Sequence, residues 1–175
     1  LIAQGLKTQD FLLHIASGSL RAGVHFINYL NAGHYLGLDK EQELINRGIK
    51  RELCDEIHIA KKPEFIVSDH FEFASFSKKP NYAIAQSLFT HLTAGDIKLC
   101  LKNLRKFMGE QPLTFYATFF ECNTPQKEQS ETSHSHAKFE YTKKQIEQFG
   151  EDTGWRTDYI GNWNHPRGQK IIRYF

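Results

Sequence analysis

Short apolar runs that end in small or acidic residues alternate with segments of helical periodicity along most of this chain, and that alternation limits the possible folds more than any other feature. Phe11-Leu12-Leu13-His14-Ile15 runs into Ala16-Ser17-Gly18-Ser19, the pattern of a buried parallel strand entering a tight turn. Over Leu20 to Leu30 the residues Val24, Phe26, Ile27, Tyr29 and Leu30 recur at helical spacing until Asn31-Ala32-Gly33 stops them. His34 to Leu38 reads as a second strand closed by Asp39, and Leu44, Ile45, Gly48, Ile49 and Leu53 mark an amphipathic helix over about 40–53, with a linker up to Pro63.

The same alternation continues. Glu64 to Ser68 is a third strand with Asp69-His70 at its end, and Asn81 to Ala85 a fourth with Gln86-Ser87 at its end. Between Thr93 and Met108 the residues Ile97, Cys100, Leu101, Leu104 and Phe107 draw one apolar stripe, with Thr93 placed to cap and Asp96 in the first turn. Leu113 to Phe120, rich in aromatic and β-branched residues, is a central strand. Glu121 to His136, heavy in Ser, Thr, Gln and Glu, reads as a loop. Thr142 to Gln145 has capping-box spacing ahead of Ile146 and Phe149, and two last strands, Arg156 to Trp163 and Gln169 to Phe175, flank the turn Asn164 to Gly168. Right-handed crossovers then require a parallel sheet with helices on both faces. The predicted fold is a three-layer αβα Rossmann-like sandwich whose mostly parallel seven-stranded sheet ends in an antiparallel C-terminal hairpin, built as one domain over 1–175.

Composition narrows the partners. With 175 residues and 40% hydrophobic residues, the chain can close one sizeable core. A net charge of +2 without a sustained basic stripe argues against nucleic acid, and Lys61-Lys62, Lys78-Lys79 and Lys143-Lys144 read as solvated faces. The 3 cysteines, Cys54, Cys100 and Cys122, lack the spacing of a disulfide framework or a zinc site, which fits a reducing, cytoplasmic setting. No apolar run approaches a membrane span, and Leu1 to Asp10 lacks the layout of a signal peptide. The start at Leu1, close to the first strand, is what an excised domain would show. Oligomeric state is left open.

In an open α/β sheet, ligands sit beyond the carboxyl ends of the strands, and four such ends carry candidate chemistry. In Ala16 to Gly23, small residues let the backbone approach a ligand and the next helix presents unpaired N–H groups. Asp39 lies 21 positions after Gly18, where a carboxylate can accept both hydroxyls of a ribose or cap the following helix. At Asp69-His70 the acid can accept from an adenine amino group while His70 lines its face; a turn aspartate is the alternative. Gln86 to Leu92 follows the fourth strand, and His91 is its one candidate general base near neutral pH, or else a hydrogen-bonding group at a helix-loop junction. His134 and His136 sit in the polar loop, expected in solvent rather than on a metal.

Together these features resemble class I S-adenosylmethionine-dependent methyltransferases, in particular the small-molecule branch with a Gly-Cys-Gly-Ser-Leu-Arg type first loop. The corresponding residues here are His14-Ile15-Ala16-Ser17-Gly18-Ser19-Leu20-Arg21. The resemblance covers nearly the whole chain, from His34–Asp39 and Phe65–Asp69 to Asn81–His91, Leu113–Phe120 and a closing hairpin over Gly154–Phe175 that a nicotinamide-binding Rossmann domain lacks. It implies S-adenosylmethionine as cofactor, held by His14, Ala16, Ser17, Gly18, Asp39, Lys40, Asp69, His70, Gln86 and Ser87, and methyl transfer to an oxygen or nitrogen of a small molecule. His91 is then the candidate base, Trp163 and His165 are candidates for structure or substrate contact, and no metal is implied. Two departures stand out. The family usually has an acid, which helps hold the cationic methionine end, at the position of His14, and a glycine at that of Ala16. It also often closes its site with N-terminal helices, which are not expected within 1–175. A degenerate, non-catalytic scaffold domain is therefore the first rival reading. A nicotinamide-dependent oxidoreductase is the second, favoured by Asp39 and opposed by the incomplete glycine fingerprint and the hairpin.

Overall fold

Parallel pairing organises the N-terminal half of the computed structural model, which describes residues 1–125 and 132–175. The Cα packing divides the chain into two units, Leu1–Ile84 and Ala85–Phe175. In the first, β1 (Leu12–Ile15), β2 (Tyr35–Asp39), β3 (Glu64–Val67) and β4 (Tyr82–Ala85, at the border) run in the order β3-β2-β1-β4, every pair parallel. All residues of β1 and β2 are buried, the condition that their continuous apolar runs anticipate. Around them lie α1 (Gly23–Tyr29), α2 (Gln42–Gly48) and α3 (Cys54–Lys61), with Leu12, Leu20, Ile27, Leu30, Tyr35 and Leu53 in one buried cluster.

The helix expected over about 40–53 extends further than its apolar pattern. α2 gives way to a π-type turn at Ile49–Leu53, Cys54 takes φ 50°, and α3 then runs to Lys61, where a linker was expected. None of the residues of α3 is buried, so no apolar stripe marks it. Ile57 alone packs, partly buried, against the core cluster, and a polar tie adds to it. The Lys61 ammonium donates to the carbonyls of Asn28 and Leu30 at 2.8 and 2.7 Å, at the C-terminal end of α1, where the helix dipole favours a cation.

In the second unit, α4 (Ala94–Met108) is capped by Thr93, whose hydroxyl accepts from Asp96 N at 3.2 Å, and it buries Ile97, Cys100, Leu101, Leu104 and Met108. Phe107, placed in that stripe by spacing, is only half-buried. β5 (Thr114–Glu121) pairs antiparallel with β8 (Lys170–Tyr174), which pairs antiparallel with β7 (Thr157–Asn162) through a bulge between Tyr159 and Gly161. Thr142 and Gln145 form the expected capping box of α5 (Lys143–Glu151). The two-residue strand β6 (Glu140–Tyr141), parallel to β5, was not anticipated; so short an element carries no readable periodicity. Of the loop expected over 121–136, residues 126–131 lie outside the described residues, and the described remainder after Glu121 is irregular. The fold is mixed α/β and Rossmann-like, its strands mostly parallel and its C-terminal hairpin antiparallel.

Gly150 of α5 leaves room for its neighbours: a Cβ there would lie 2.6 Å from Thr157 Cγ2 and 2.8 Å from Tyr174 Cε1. Gly150→Ala should therefore cost about 1–3 kcal/mol through overpacking. Gly95→Ala meets nothing nearer than Thr93 Oγ1 at 3.7 Å; in helix α4 it should gain about 0.5–1 kcal/mol. Urea unfolding midpoints of the two variants should move in opposite directions.

Candidate functional site

The loop after β1 keeps a glycine-loop backbone with only one of its left-handed positions filled by glycine. Ala16, Gly18 and Leu20 take φ of 57°, 55° and 61°. A non-glycine residue in that region is strained by roughly 1 kcal/mol or more, so the loop must be held from outside. Asp39 holds it: its Oδ2 accepts from Gly18 N at 2.7 Å, and its Oδ1 accepts from Glu41 N at 3.0 Å. Asp39 is buried, and its backbone carbonyl accepts from Ser68 N at 3.0 Å while Leu38 O accepts from Ser17 N at 3.0 Å. The ends of β1, β2 and β3 are thereby tied together. The N-cap position of α2 belongs to Glu41, and Asp39 serves that helix start only through the Glu41 amide.

Each Asp39 oxygen accepts one hydrogen bond among the described residues, leaving acceptor capacity on a carboxylate that has about four lone-pair directions. Ser17 is buried, and its Oγ has no hydrogen-bond partner among the described residues, an orphan that a bound polar ligand would satisfy. Both features fit a ribose-bearing cofactor. Lys40, next in sequence, is exposed and 4.0 Å from Glu41.

His14 supplies no charge to this loop. It is buried on β1, its Nδ1 2.8 Å from the Tyr35 hydroxyl, with the rings of Phe26 and Tyr35 each at 6.1 Å. Burial lowers its pKa to about 4 and raises that of Tyr35, so the pair is neutral near pH 7. Gly23 makes the pairing possible, because a Cβ there would stand 2.6 Å from the Tyr35 hydroxyl oxygen. Tyr35 was not singled out as a site residue; its spacing marks it only as strand.

At the end of β3 the side chains of Asp69 and His70 are exposed and lie 3.5 Å apart. The buried group there is Ser68, whose Oγ accepts from His70 N at 3.3 Å and Glu72 N at 3.0 Å. A strand-end serine carries no distinctive signal in the sequence, and Ser68 was not anticipated.

In the second unit, Gln86 is half-buried and Ser87 has φ 60°. Ser87 N donates to Thr118 Oγ1 at 2.7 Å, Thr118 Oγ1 donates to Gln169 Oε1 at 2.7 Å, and Gln169 Nε2 donates to Ser87 Oγ at 3.0 Å. Thr90 adds a hydroxyl donating to Ser87 O at 2.7 Å. Gln169 and Thr90 are fully buried, and neither they nor Thr118 were anticipated. His91 closes a short helical turn, Phe89–His91, and its Nδ1 is 2.6 Å from the Ala137 carbonyl. A carbonyl only accepts, so Nδ1 carries the proton and Nε2 keeps a lone pair. On the hairpin, the Trp163 and His165 rings stack at 5.0 Å, while His134 and His136 are exposed. Among the described residues no three His, Cys, Asp or Glu side chains gather into a metal-binding group, and no helix is long and apolar enough to cross a membrane.

This geometry coincides with a known fold. Magnesium protoporphyrin IX methyltransferase (ChlM) from Synechocystis PCC 6803, solved with bound SAH, superposes with a TM-score of 0.71 at 11% identity, covering 99% of this chain and 77% of that one. A SAM-dependent methyltransferase from Aquifex aeolicus gives 0.70 at 11% identity over 99% and 85% of the two chains. Streptomyces venezuelae DesVI gives 0.69 at 12% identity over 95% and 83%. No family model and no curated protein sequence matches the chain. The fold is that of the class I S-adenosylmethionine-dependent methyltransferases.

The His14 imidazole titrates about 6.5 when unfolded and about 4 when folded. Its contribution is complete above the unfolded value and is lost as pH falls through the folded one, a window worth about 3 kcal/mol. Urea stability measured at pH 7 and at pH 4 should fall by about that much more in the native chain than in His14→Gln.

Proposed function

We propose that this protein binds S-adenosylmethionine at the Ala16–Leu20 loop and transfers its methyl group to an oxygen or nitrogen of a small molecule. The observation that carries the proposal is the left-handed loop at 16, 18 and 20 clasped by the buried Asp39 carboxylate, in a fold shared with methyltransferases whose solved structures hold SAM or SAH. Residues 1–175 are read as one methyltransferase-type domain, supported by neighbours that align over 99% of the chain.

In this reading Asp39 accepts from the ribose, the Gly18 loop takes the backbone approach, and Ser17 Oγ gains its missing partner. Lys40, Asp69 and His70 border the nucleoside, and Gln86 and Ser87 complete the cofactor set. The bound cofactor supplies an electrophilic methyl on a sulfonium centre. The chain's contribution would be positional, presenting the acceptor lone pair in line with that carbon. His91 Nε2, the nitrogen left unprotonated by the Ala137 contact, would accept the acceptor's proton. Three free cysteines suit a reducing, cytoplasmic setting.

One observation favours a second reading. A neutral His14 and an Ala16 Cβ at a left-handed position offer nothing to the cationic methionine end, which is the condition of a degenerate binding or scaffold domain.

Isothermal titration with S-adenosylmethionine and S-adenosylhomocysteine, with NAD as control, separates the two. The methyltransferase reading expects a Kd in the micromolar range, about 8 kcal/mol, no heat with NAD, and at least a tenfold loss in Asp39→Ala. Binding that appears only in a His14→Asp, Ala16→Gly variant would make the native chain a scaffold.

A further inference from the structure

We propose that the segment Thr132–Phe139 is a strap that fixes the His91 tautomer, with Ser133 as its positioning residue; this rests on the reading of His91 as the base. The segment is tied at three places to the turn and helix start that follow β4. Ser133 Oγ donates to Asp96 Oδ2 and accepts from Thr93 N at 2.8 Å. Asp96 Oδ2 also accepts from Thr93 Oγ1 at 3.1 Å, so strap, cap and first turn of α4 share one closed set of hydrogen bonds. Farther along, the Ala137 carbonyl accepts from His91 Nδ1, and Phe139 N donates to Thr90 O at 2.9 Å.

The strap is held between its ties by burial and by a turn. Ala137 and Phe139 are buried, and Ala137 N donates to His134 O at 3.0 Å. The Ala137 carbonyl is therefore presented to the imidazole by a segment with little freedom to turn it away. Among the described residues the His91 ring makes no other hydrogen bond, so this carbonyl decides which ring nitrogen is protonated. An imidazole free to choose divides its proton between the two nitrogens; one facing a fixed acceptor at Nδ1 does not. The strap's effect is to leave the lone pair on Nε2, the nitrogen turned away from Ala137. Ser133, which never touches the imidazole, acts through the carbonyl four residues on.

The tautomer is read without any turnover, from long-range 1H–15N correlations of the uniformly 15N-labelled full chain. At about pH 8.5, roughly two units above the ordinary imidazole value, neutral rings dominate; His91→Gln identifies the His91 signals. The native chain should show His91 protonated at Nδ1. Ser133→Ala should move the population predominantly to Nε2–H, and Ser133→Thr, which keeps the hydroxyl, should restore the native signature. Asp96→Asn changes the helix side of the same contact and should shift the population the same way, with Trp155 fluorescence reporting that α4 remains packed. An Nε2–H ring in the native chain, or native signals in both Ser133→Ala and Asp96→Asn, overturns the strap. The outcome is separable from the cofactor reading: a chain that fails to bind S-adenosylhomocysteine yet shows the shift keeps the strap and loses the methyltransferase, and the converse result removes only the strap.

Discussion

Asp39 stands where three strands finish. Its carboxylate reaches back to Gly18 after β1 and forward to Glu41 ahead of α2, and its carbonyl takes the Ser68 amide after β3. Parallel strands all deliver their carboxyl ends to one edge, and backbone groups there lose their ladder partners. A single buried acid that accepts from two turns at once resolves that shortage, and it also fixes the spacing between loop and strand. The left-handed residues Ala16 and Leu20 are tolerated because the surrounding hydrogen bonds over-determine the loop. The arrangement that supports the fold is thus the one that shapes a candidate nucleoside site.

Next to that clasp lies a second buried polar pair of opposite character. His14 and Tyr35 sit on adjacent parallel strands, share a hydrogen bond at 2.8 Å, and depend on the absent side chain of Gly23 for room. Neither group carries charge near neutrality, because burial disfavours the imidazolium and the phenolate alike. A histidine in this place cannot do the work of a carboxylate, yet it is far from an arbitrary loss. Its partner, its space and its protonation state are all provided by neighbouring residues. The start of the loop is therefore packed against a neutral pair rather than a carboxylate.

Much of this architecture was legible in the residue order. Continuous apolar runs at Leu12–Ile15 and Tyr35–Leu38 announce strands buried on both faces, and the Thr142/Gln145 spacing announces a helix start. Asp39 could be singled out because a carboxylate at a fixed distance from a small-residue turn has few other uses. What escaped was structure without a periodic or compositional mark. α3 turns a single partly buried apolar residue, Ile57, to the core and is tied by a lysine on carbonyl oxygens, and β6 is two residues long. Ser68, bonded only to amides two and four residues on, escaped because a strand-end serine carries no mark of its own; Thr118, Gln169 and Tyr35 escaped because each finds its polar partner far away in sequence, as Thr118 and Gln169 do across 51 positions.

The second unit shows how such distant partners are recruited. Ser87 is held in a left-handed turn by Thr118, Gln169 and Thr90, so that with its own hydroxyl four polar side chains from three separate stretches of chain meet around one backbone position. Two of the four are fully buried, so leaving any of them unpaired would cost on the order of 1–3 kcal/mol. The network therefore fixes the turn that begins after β4 and ends in His91. From the other side, the Ala137 carbonyl fixes the imbalance between the two nitrogens of the His91 ring. A turn set by a polar network, bearing a ring that faces one carbonyl, is held in both position and tautomer. Those are the two properties that the proposed role of His91 as a general base asks for before any substrate arrives.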